Sequence, residues 1–347
     1  MIDKDLSVRF DILKSILITG IVFIHMNTSE MTFNGKFANF FTDGVYYISE
    51  VLARVSVPLF FSLAGYLFFI NLTPTLKSFF HKYKSRFFSL VVPFVFWNLL
   101  IFILFYIAQN IPATQGYFSG ERPIISHLKS SKEYLELFFG FGKFEYPIAY
   151  QFWFIRDLIV LVLFSPLIYF ILKLIPKTVF FTVMLIFWCS FPDRFISLVF
   201  FLTGSFFAIK KINPKVLDRY FFISLTVFLL SSFFLVKTKN PYLYQAVVLI
   251  GSIVVFGMTK YILNTDKLKT SLIKFSTYSF FIFCFHEPTL SVVRKLSFRF
   301  FPLKNDTTTF LLYFFCVGMT IWISIVVFKI LKRYMPNFLN IITGQRI

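Results

Sequence analysis

The sequence predicts an all-α protein that crosses a membrane about ten times, with both termini in the cytoplasm. The chain of 347 residues is 57% hydrophobic and has a mean hydropathy of +0.76. Only 15% of its residues are charged, against about 25% in a soluble globular protein. Its apolar residues form runs near the roughly 20 residues that a helix needs to cross the hydrocarbon core. We therefore expect residues 1–347 to form a single integral membrane domain.

Ten apolar runs are the predicted membrane-spanning helices. The fifth and sixth are shorter than a standard span, so the count has a margin of one or two. The longest connector, at 110–150, is predicted to be extracytoplasmic. The predicted helices cover residues 12–29, 45–70, 90–109, 151–172, 178–190, 195–209, 220–236, 242–263, 275–293 and 308–331.

The basic residues behind the net charge of +19 lie mostly in short connectors between the apolar runs. If the N-terminus is cytoplasmic, most Lys and Arg residues of the connectors face the cytoplasm, which is the usual bias of membrane proteins. Four basic residues after the ninth helix oppose this orientation: Arg294, Lys295, Arg299 and Lys304. This distribution indicates membrane lipids rather than a nucleic acid as the partner of the positive charge.

The first predicted helix carries ionisable side chains that lipid does not accommodate. In an α-helix with 3.6 residues per turn, Lys14 and His25 lie within about 20° of each other and about 16 Å apart along the axis. Asp11 lies beside Lys14, whereas Arg9 points away. A boundary lysine can bind an anion, and a deep histidine can accept a proton. A topology lysine and an interfacial histidine are the alternative interpretation.

Ionisable residues in three other predicted helices are further candidates, because such residues inside a membrane are functional by default. Glu50 and Arg54 have the i, i+4 spacing of a neutralising pair. Adjacent helical residues point about 100° apart, so we expect Arg156 and Asp157 to need separate partners. The remaining candidates are His286 and Glu287, followed by Pro288, which we expect to loosen the helix.

The connector between the second and third helices concentrates basic residues in KSFFHKYKSRFF, residues 77–88. One interpretation is a topology signal that contacts anionic lipid headgroups. The other is a phosphate clamp for a soluble anionic donor, formed by Lys82, Lys84 and Arg86. Both interpretations remain open from the residues alone.

Four segments together resemble the acyltransferase-3 family of integral membrane acyltransferases, which modify carbohydrates and other hydroxyl acceptors at the cell envelope. The family commonly has a serine where this chain has Ala64, so a hydroxyl at that position cannot be a nucleophile here. The order of the segments extends the resemblance over most of the chain. The segments are R-F-D-x-x-K-x(10)-H at 9–25, VPLFFSLAGY at 57–66, the basic run ending at Arg86 with VVPF at 91–94, and YSFFIFCFHEP at 278–288.

The resemblance implies an O-acyltransferase of the bacterial inner (plasma) membrane. Its donor would be an acyl-CoA, most often acetyl-CoA, and its acceptor a hydroxyl of a lipid-linked or cell-surface polysaccharide such as O-antigen or capsule. His25 becomes the leading candidate for the catalytic base or a transient acyl carrier, with Lys14 as its partner on the donor side. Neither a bound cofactor nor a metal is expected.

The other candidates divide into two groups under this resemblance. Residues expected to bind the acyl donor are Arg9, Asp11, Lys82, Lys84 and Arg86. Residues expected at the acceptor, the oxyanion or a second site are Arg54, Arg156, Asp157, His286 and Glu287.

Two other functions compete with acyl transfer. Transporters, flippases and polymerases of polysaccharides are also basic and polytopic, although no internal repeat is visible here of the kind that many transporters contain. A non-catalytic membrane scaffold or sensor is the third possibility.

Overall fold

The computed structural model describes residues 3–27, 39–115, 125–191, 194–301 and 306–346. Across these ranges the regular secondary structure is helical and contains no β-strand, which confirms the predicted all-α class. The chain divides into two compact units. Unit 1 consists of Met1–Pro74 and Ser165–Ile330, and unit 2 of Thr75–Phe164 and Leu331–Ile347.

The described part of the chain contains seventeen α-helices. They are α1 (Lys4–His25), α2 (Asn39–Tyr46), α3 (Ser56–Phe69), α4 (Leu76–Arg86), α5 (Val92–Asn110), α6 (Pro112–Gln115), α7 (Ser131–Phe139), α8 (Trp153–Leu163), α9 (Ser165–Leu174), α10 (Lys177–Ser190), α11 (Ile196–Ile209), α12 (Phe221–Thr238), α13 (Pro241–Ile262), α14 (Asp266–Ser276), α15 (Ser279–Phe300), α16 (Asp306–Tyr334) and α17 (Pro336–Ile342).

Several helical segments are long and apolar enough to cross a membrane, so the protein is an integral membrane protein. The predicted fourth helix, 151–172, is divided at Phe164 into α8 and α9, which together would count as one further span. The ten spans and the cytoplasmic termini stay predictions. Among the described residues the five span-length segments are Thr42–Phe69, Leu76–Asn110, Pro214–Thr238, Pro241–Ile262 and Thr307–Tyr334.

The second predicted helix, 45–70, is not a regular α-helix. A π-helix at Tyr47–Leu52 and a 3₁₀ turn at Ala53–Val55 join α2 to α3. A π-helix widens the turn and changes the direction of the side chains that follow, and such segments often occur at functional sites. Here the widened segment contains Ser49 and Glu50.

Two glycines allow α3 and α11 of unit 1 to pack in direct backbone contact. A Cβ at Gly65 would collide with the carbonyl oxygen of Phe201, and a Cβ at Gly204 with that of Ser62. The Ser62 hydroxyl donates to the carbonyl oxygen of Phe200 at 3.1 Å. Small residues such as Gly65 and Gly204 let membrane helices approach this closely.

In unit 2, polar contacts link α5 to distant parts of the chain. Trp97 Nε1 donates to the carbonyl oxygen of Ile342 at 3.1 Å, which holds α17 against α5. The backbone N–H of Ala149 donates to Asn98 Oδ1 at 3.1 Å. The connector 110–150 is thus anchored where the structure describes it, whereas its residues 116–124 lie outside the described ranges.

The connector also contains α7, whose ends are capped locally. Ser130 caps its first turn, and Gly140 ends it in the left-handed conformation with φ 70°. Hydrogen bonds from the backbone N–H of Lys129 and from Lys143 lower the pKa of Glu133. The extracytoplasmic position of this connector stays a prediction.

Candidate functional site

Two histidines from distant parts of the sequence meet in unit 1. His25 is the last residue of α1, and His286 lies in α15; their ring centroids are 4.9 Å apart. The His286 side chain is fully buried. An apolar cluster surrounds this end of α1 and includes Val22, Leu290 and Tyr313. The structure therefore brings His25, the leading candidate of the first predicted helix, against His286, a candidate of the ninth.

Glu50 is the acidic centre beside the histidine end of α1. Its carboxylate accepts hydrogen bonds from Arg54 Nε at 2.7 Å and from Arg54 Nη2 at 3.0 Å. It also accepts one from Asn27 Nδ2 at 2.7 Å. The predicted Glu50–Arg54 pair is confirmed, and Asn27 is a partner that the sequence analysis missed although it follows His25 closely in the chain.

Ser49 forms a second polar link from the π-helix. The Ser49 and Tyr313 hydroxyls lie 2.7 Å apart, and Ser49 Oγ donates to the carbonyl oxygen of Phe23 at 2.8 Å. These contacts connect α1, the π-helix and α16. No periodicity in the sequence indicates them, because they depend on how separate helices pack.

Lys14 lies on the same continuous helix as His25 but in another environment. Lys14 Nζ donates to Asp11 Oδ1 at 2.9 Å, and both side chains are 35% exposed. Between Lys14 and His25 the same face carries Ile18 and Ile21, which are buried in the apolar cluster. The structure thus places Lys14 and His25 on one helix without joining them in one polar site.

Arg9 is buried in a hydrogen-bond network that the sequence analysis did not anticipate. Its two terminal nitrogens each donate to an Asp218 oxygen at 2.7 Å. Nε donates to Thr259 Oγ1 at 2.8 Å, and Nη2 also donates to the carbonyl oxygen of Phe256 at 3.0 Å. Arg9 points away from Lys14 as expected, but it ties α1 to α13 and to the segment Pro214–Tyr220. Contact with an acyl donor would require it to leave these partners.

Arg156 and Asp157 pair with each other, so the expectation that they need separate partners was wrong for Asp157, whereas Arg156 has further partners of its own. Arg156 Nε donates to Asp157 Oδ1 at 3.0 Å, because long side chains can bridge the angle between adjacent helical positions. Arg156 Nη1 also donates to the carbonyl oxygens of Gly140 and Glu145. The pair therefore holds the chain after α7 within unit 2, whereas the histidines belong to unit 1.

Glu287 is engaged within its own helix, where it accepts a hydrogen bond from Ser291 Oγ at 3.0 Å. The expected loosening at Pro288 is not observed. Helix α15 is continuous from Ser279 to Phe300 and contains Pro288 in its interior. The side chains around His286 are accordingly positioned by a regular helix.

Two of the three residues of the predicted phosphate clamp come together in unit 2. Lys84 and Arg86 line a cavity of about 360 Å³, between α4 and its continuation on one side and α8 on the other. Aromatic rings of Phe80 and Phe87 form part of its wall. Tyr83, also in the wall, donates to the carbonyl oxygen of Leu163 at 3.0 Å. Cations beside aromatic rings suit a ligand that contains both phosphate and a planar base.

A cavity of about 410 Å³ in unit 1 is apolar. Its hydroxyl groups from Ser62, Thr203 and Ser252 already donate to backbone carbonyls. The Ser62 hydroxyl, two residues before Ala64, thus helps to hold α3 against α11. Among the described residues, no group of three His, Cys, Asp or Glu side chains is arranged to hold a metal.

Comparisons with known proteins identify the family of this chain. A family model described as "Acyltransferase domain" (Acyl_transf_3) matches residues 7–329. The succinoglycan biosynthesis protein ExoH of Rhizobium meliloti (strain 1021) is 24% identical to this chain in an alignment of 369 positions. The alignment covers 99% of this chain and 94% of that protein. No solved structure matches the chain. Because the family match covers nearly the whole sequence, this chain belongs to the acyltransferase-3 family and is a membrane acyltransferase.

Proposed function

We propose that this enzyme transfers an acyl group, most simply acetyl from acetyl-CoA, to a hydroxyl of a polysaccharide. The observation that carries the proposal is the contact between His25 and the buried His286 within the matched family domain. The relative named for succinoglycan biosynthesis supports a glycan as the acceptor class. A bacterial inner membrane is the location that we infer, because CoA thioesters are supplied from the cytoplasm.

Acyl transfer to a sugar hydroxyl needs a base, because a neutral hydroxyl is a poor nucleophile. A positioned general base contributes about 10²–10⁴-fold to the rate. We assign His25 to the reacting centre, as a proton acceptor or as a transient carrier of the acyl group. The oxyanion that develops on the thioester carbonyl needs hydrogen-bond donors. Arg54, which Glu50 holds in place, is the side chain we assign to that task.

The donor carries several phosphates and an adenine ring, and we assign Lys84 and Arg86, at the edge of the largely apolar cavity, to the phosphates. On the predicted topology this cavity faces the cytoplasm, where CoA thioesters occur. Lys82 on the same helix, and Lys14 with Asp11 on α1, stay candidates for further donor contacts.

The proposed reaction is tested on the glycans of the producing cell. Mass spectrometry of envelope polysaccharide should show an ester-linked acyl group in the parent strain that a deletion strain lacks. For acetyl, the difference equals the mass of an acetyl group that replaces one hydrogen. If the deletion strain loses export of the polysaccharide while its intracellular glycan keeps the ester, a transporter, flippase or polymerase is favoured instead.

The donor site is tested by removing the charges of Lys82, Lys84 and Arg86 together through Gln substitutions. We expect the KM for acetyl-CoA to rise about tenfold, which corresponds to roughly 1.4 kcal/mol of lost binding, while kcat changes little. The measurement is steady-state transfer by the purified protein in lipid nanodiscs. The acceptor is polysaccharide from the deletion strain, which lacks the ester and is called deacylated glycan below.

A matched control removes three positive charges from α14, with Gln at Lys267, Lys269 and Lys274. If the α4 triple variant and this control raise the KM equally, the basic residues attract anions only through the overall surface charge. An unchanged KM in the α4 variant would contradict the donor site.

A further inference from the structure

The tautomer of His286 is determined by its own helix. Nδ1 lies 2.8 Å from the carbonyl oxygen of Phe283 and 3.1 Å from that of Ile282. A carbonyl oxygen only accepts hydrogen bonds, so Nδ1 carries the hydrogen. In the neutral ring the other nitrogen, Nε2, is then a hydrogen-bond acceptor.

Nε2 of His286 is buried and has no hydrogen-bond partner within the described ranges. A buried polar atom without a partner destabilises the fold, and most such atoms in native proteins are satisfied. Because Nδ1 faces the backbone of α15, Nε2 points away from that helix. The ring it belongs to contacts the ring of His25. The unsatisfied acceptor therefore lies at the proposed reacting centre rather than in an unrelated part of the core.

We propose that His286 is a second catalytic residue, whose Nε2 binds the acceptor hydroxyl and takes its proton. This inference rests on the proposed function. The bond between the hydroxyl oxygen and the acyl carbon forms, and the carbon–sulfur bond of the thioester breaks. The hydroxyl proton moves to Nε2, and the sulfur leaves as a thiolate. The proton then passes by way of His25 to the sulfur and leaves as part of the CoA thiol.

The backbone carbonyls have a defined task in this arrangement. They keep the hydrogen on Nδ1 before the reaction, and they stabilise the imidazolium that exists after Nε2 has taken the proton. An ordered carboxylate has the same task in serine hydrolases, where it orients the histidine base. In this arrangement His25 acts at the thioester, which separates the two rings into an acceptor side and a donor side.

The test compares chemical rescue of His286→Ala by two small heterocycles. We expect transfer from acetyl-CoA to deacylated glycan to fall about 100-fold, in line with the loss of a general base. Added imidazole should restore part of the rate. The less basic 1,2,4-triazole, which has nearly the same size, should restore much less. Equal rescue by both compounds would mean that they only fill a cavity, and it would overturn the proposal.

A second variant distinguishes a loss of catalysis from a loss of folding. In His286→Asn the amide can still donate to the carbonyls of Phe283 and Ile282, but no acceptor remains at the position of Nε2. We expect it to melt near the wild-type temperature and to be as inactive as His286→Ala. Near wild-type transfer by His286→Asn would show that His286 has a packing role only.

The outcome is separable from that of the proposed function. Activity lost in His25→Ala but kept in His286→Ala would overturn this inference alone. Activity kept in both variants would overturn the proposed reacting centre as well. His127→Ala, which changes an exposed histidine of unit 2, is the matched control and should leave the rate unchanged.

Discussion

Replacing His25 with Ala is expected to reduce acyl transfer by about 10³-fold, within the range for loss of a positioned acid–base group. The change removes the imidazole that ends α1 and its contact with His286. The contacts of Glu50 with Arg54 and Asn27 are kept in this variant, so we expect the fold around the site to persist. The measurement is kcat/KM with acetyl-CoA and deacylated glycan, at verified equal protein levels.

A double variant sharpens this prediction. Residues that act as one catalytic unit show strongly non-additive effects. His25→Ala combined with His286→Ala should therefore be little worse than the more damaging single change. If the two residues contributed independently, the rate reductions of the two single variants would multiply in the double variant. That result would show that the two rings do not share a reaction step. Normal transfer by His25→Ala at a normal protein level would remove His25 from the mechanism.

The role of His25 as proton acceptor or acyl carrier is decided by a reaction without acceptor. Incubation with labelled acetyl-CoA should leave label on the protein only if His25 carries the acyl group, and the label should be absent in His25→Ala. If the wild-type protein stays unlabelled while it transfers normally with acceptor present, direct transfer is supported.

Replacing Asp218 with Ala is expected to have the largest effect on stability. The Arg9 side chain is 1% exposed, so the substitution leaves a buried guanidinium without its counter-charge. Breaking a buried ion pair from one side typically costs about 3–5 kcal/mol. We expect a marked fall in the melting temperature of the purified protein and a lower yield from the membrane.

The reason for the loss is tested by replacing both partners. Arg9→Met with Asp218→Leu removes the charges together, and such replacements often recover stability. We expect the double variant to melt well above Asp218→Ala. Asp266→Ala, in the exposed Asp266–Lys269 pair of α14, is the control and should change the melting temperature little, because exposed pairs contribute little.

The same double variant decides the role of Arg9. If it binds acetyl-CoA like the wild type, Arg9 links α1 to α13 and Asp218 and does not contact the donor. If it melts normally but no longer binds acetyl-CoA, Arg9 is a donor contact as the sequence analysis expected, and the network seen here must open during binding.

Local patterns predicted contacts between side chains that are close in sequence. The Glu50–Arg54 pair follows from i, i+4 spacing, and the Lys14–Asp11 pair from i, i+3 spacing, since such side chains are neighbours on a helix surface. The same reasoning failed for Arg156 and Asp157, because it considered the directions of the Cα–Cβ bonds and not the reach of a long side chain. It also missed the π-helix at Tyr47–Leu52, since a one-residue widening leaves no mark in hydropathy.

Composition and the lengths of the apolar runs were sufficient to establish a helical membrane protein, because a chain in lipid must satisfy its backbone hydrogen bonds within each segment. The order of short motifs was sufficient to indicate the family. Only the tertiary structure brought His286 against His25, joined Arg9 to Asp218 and left one buried nitrogen without a partner. Such contacts depend on how helices far apart in the chain pack, and that packing is a property of the whole set of helices that no single segment encodes.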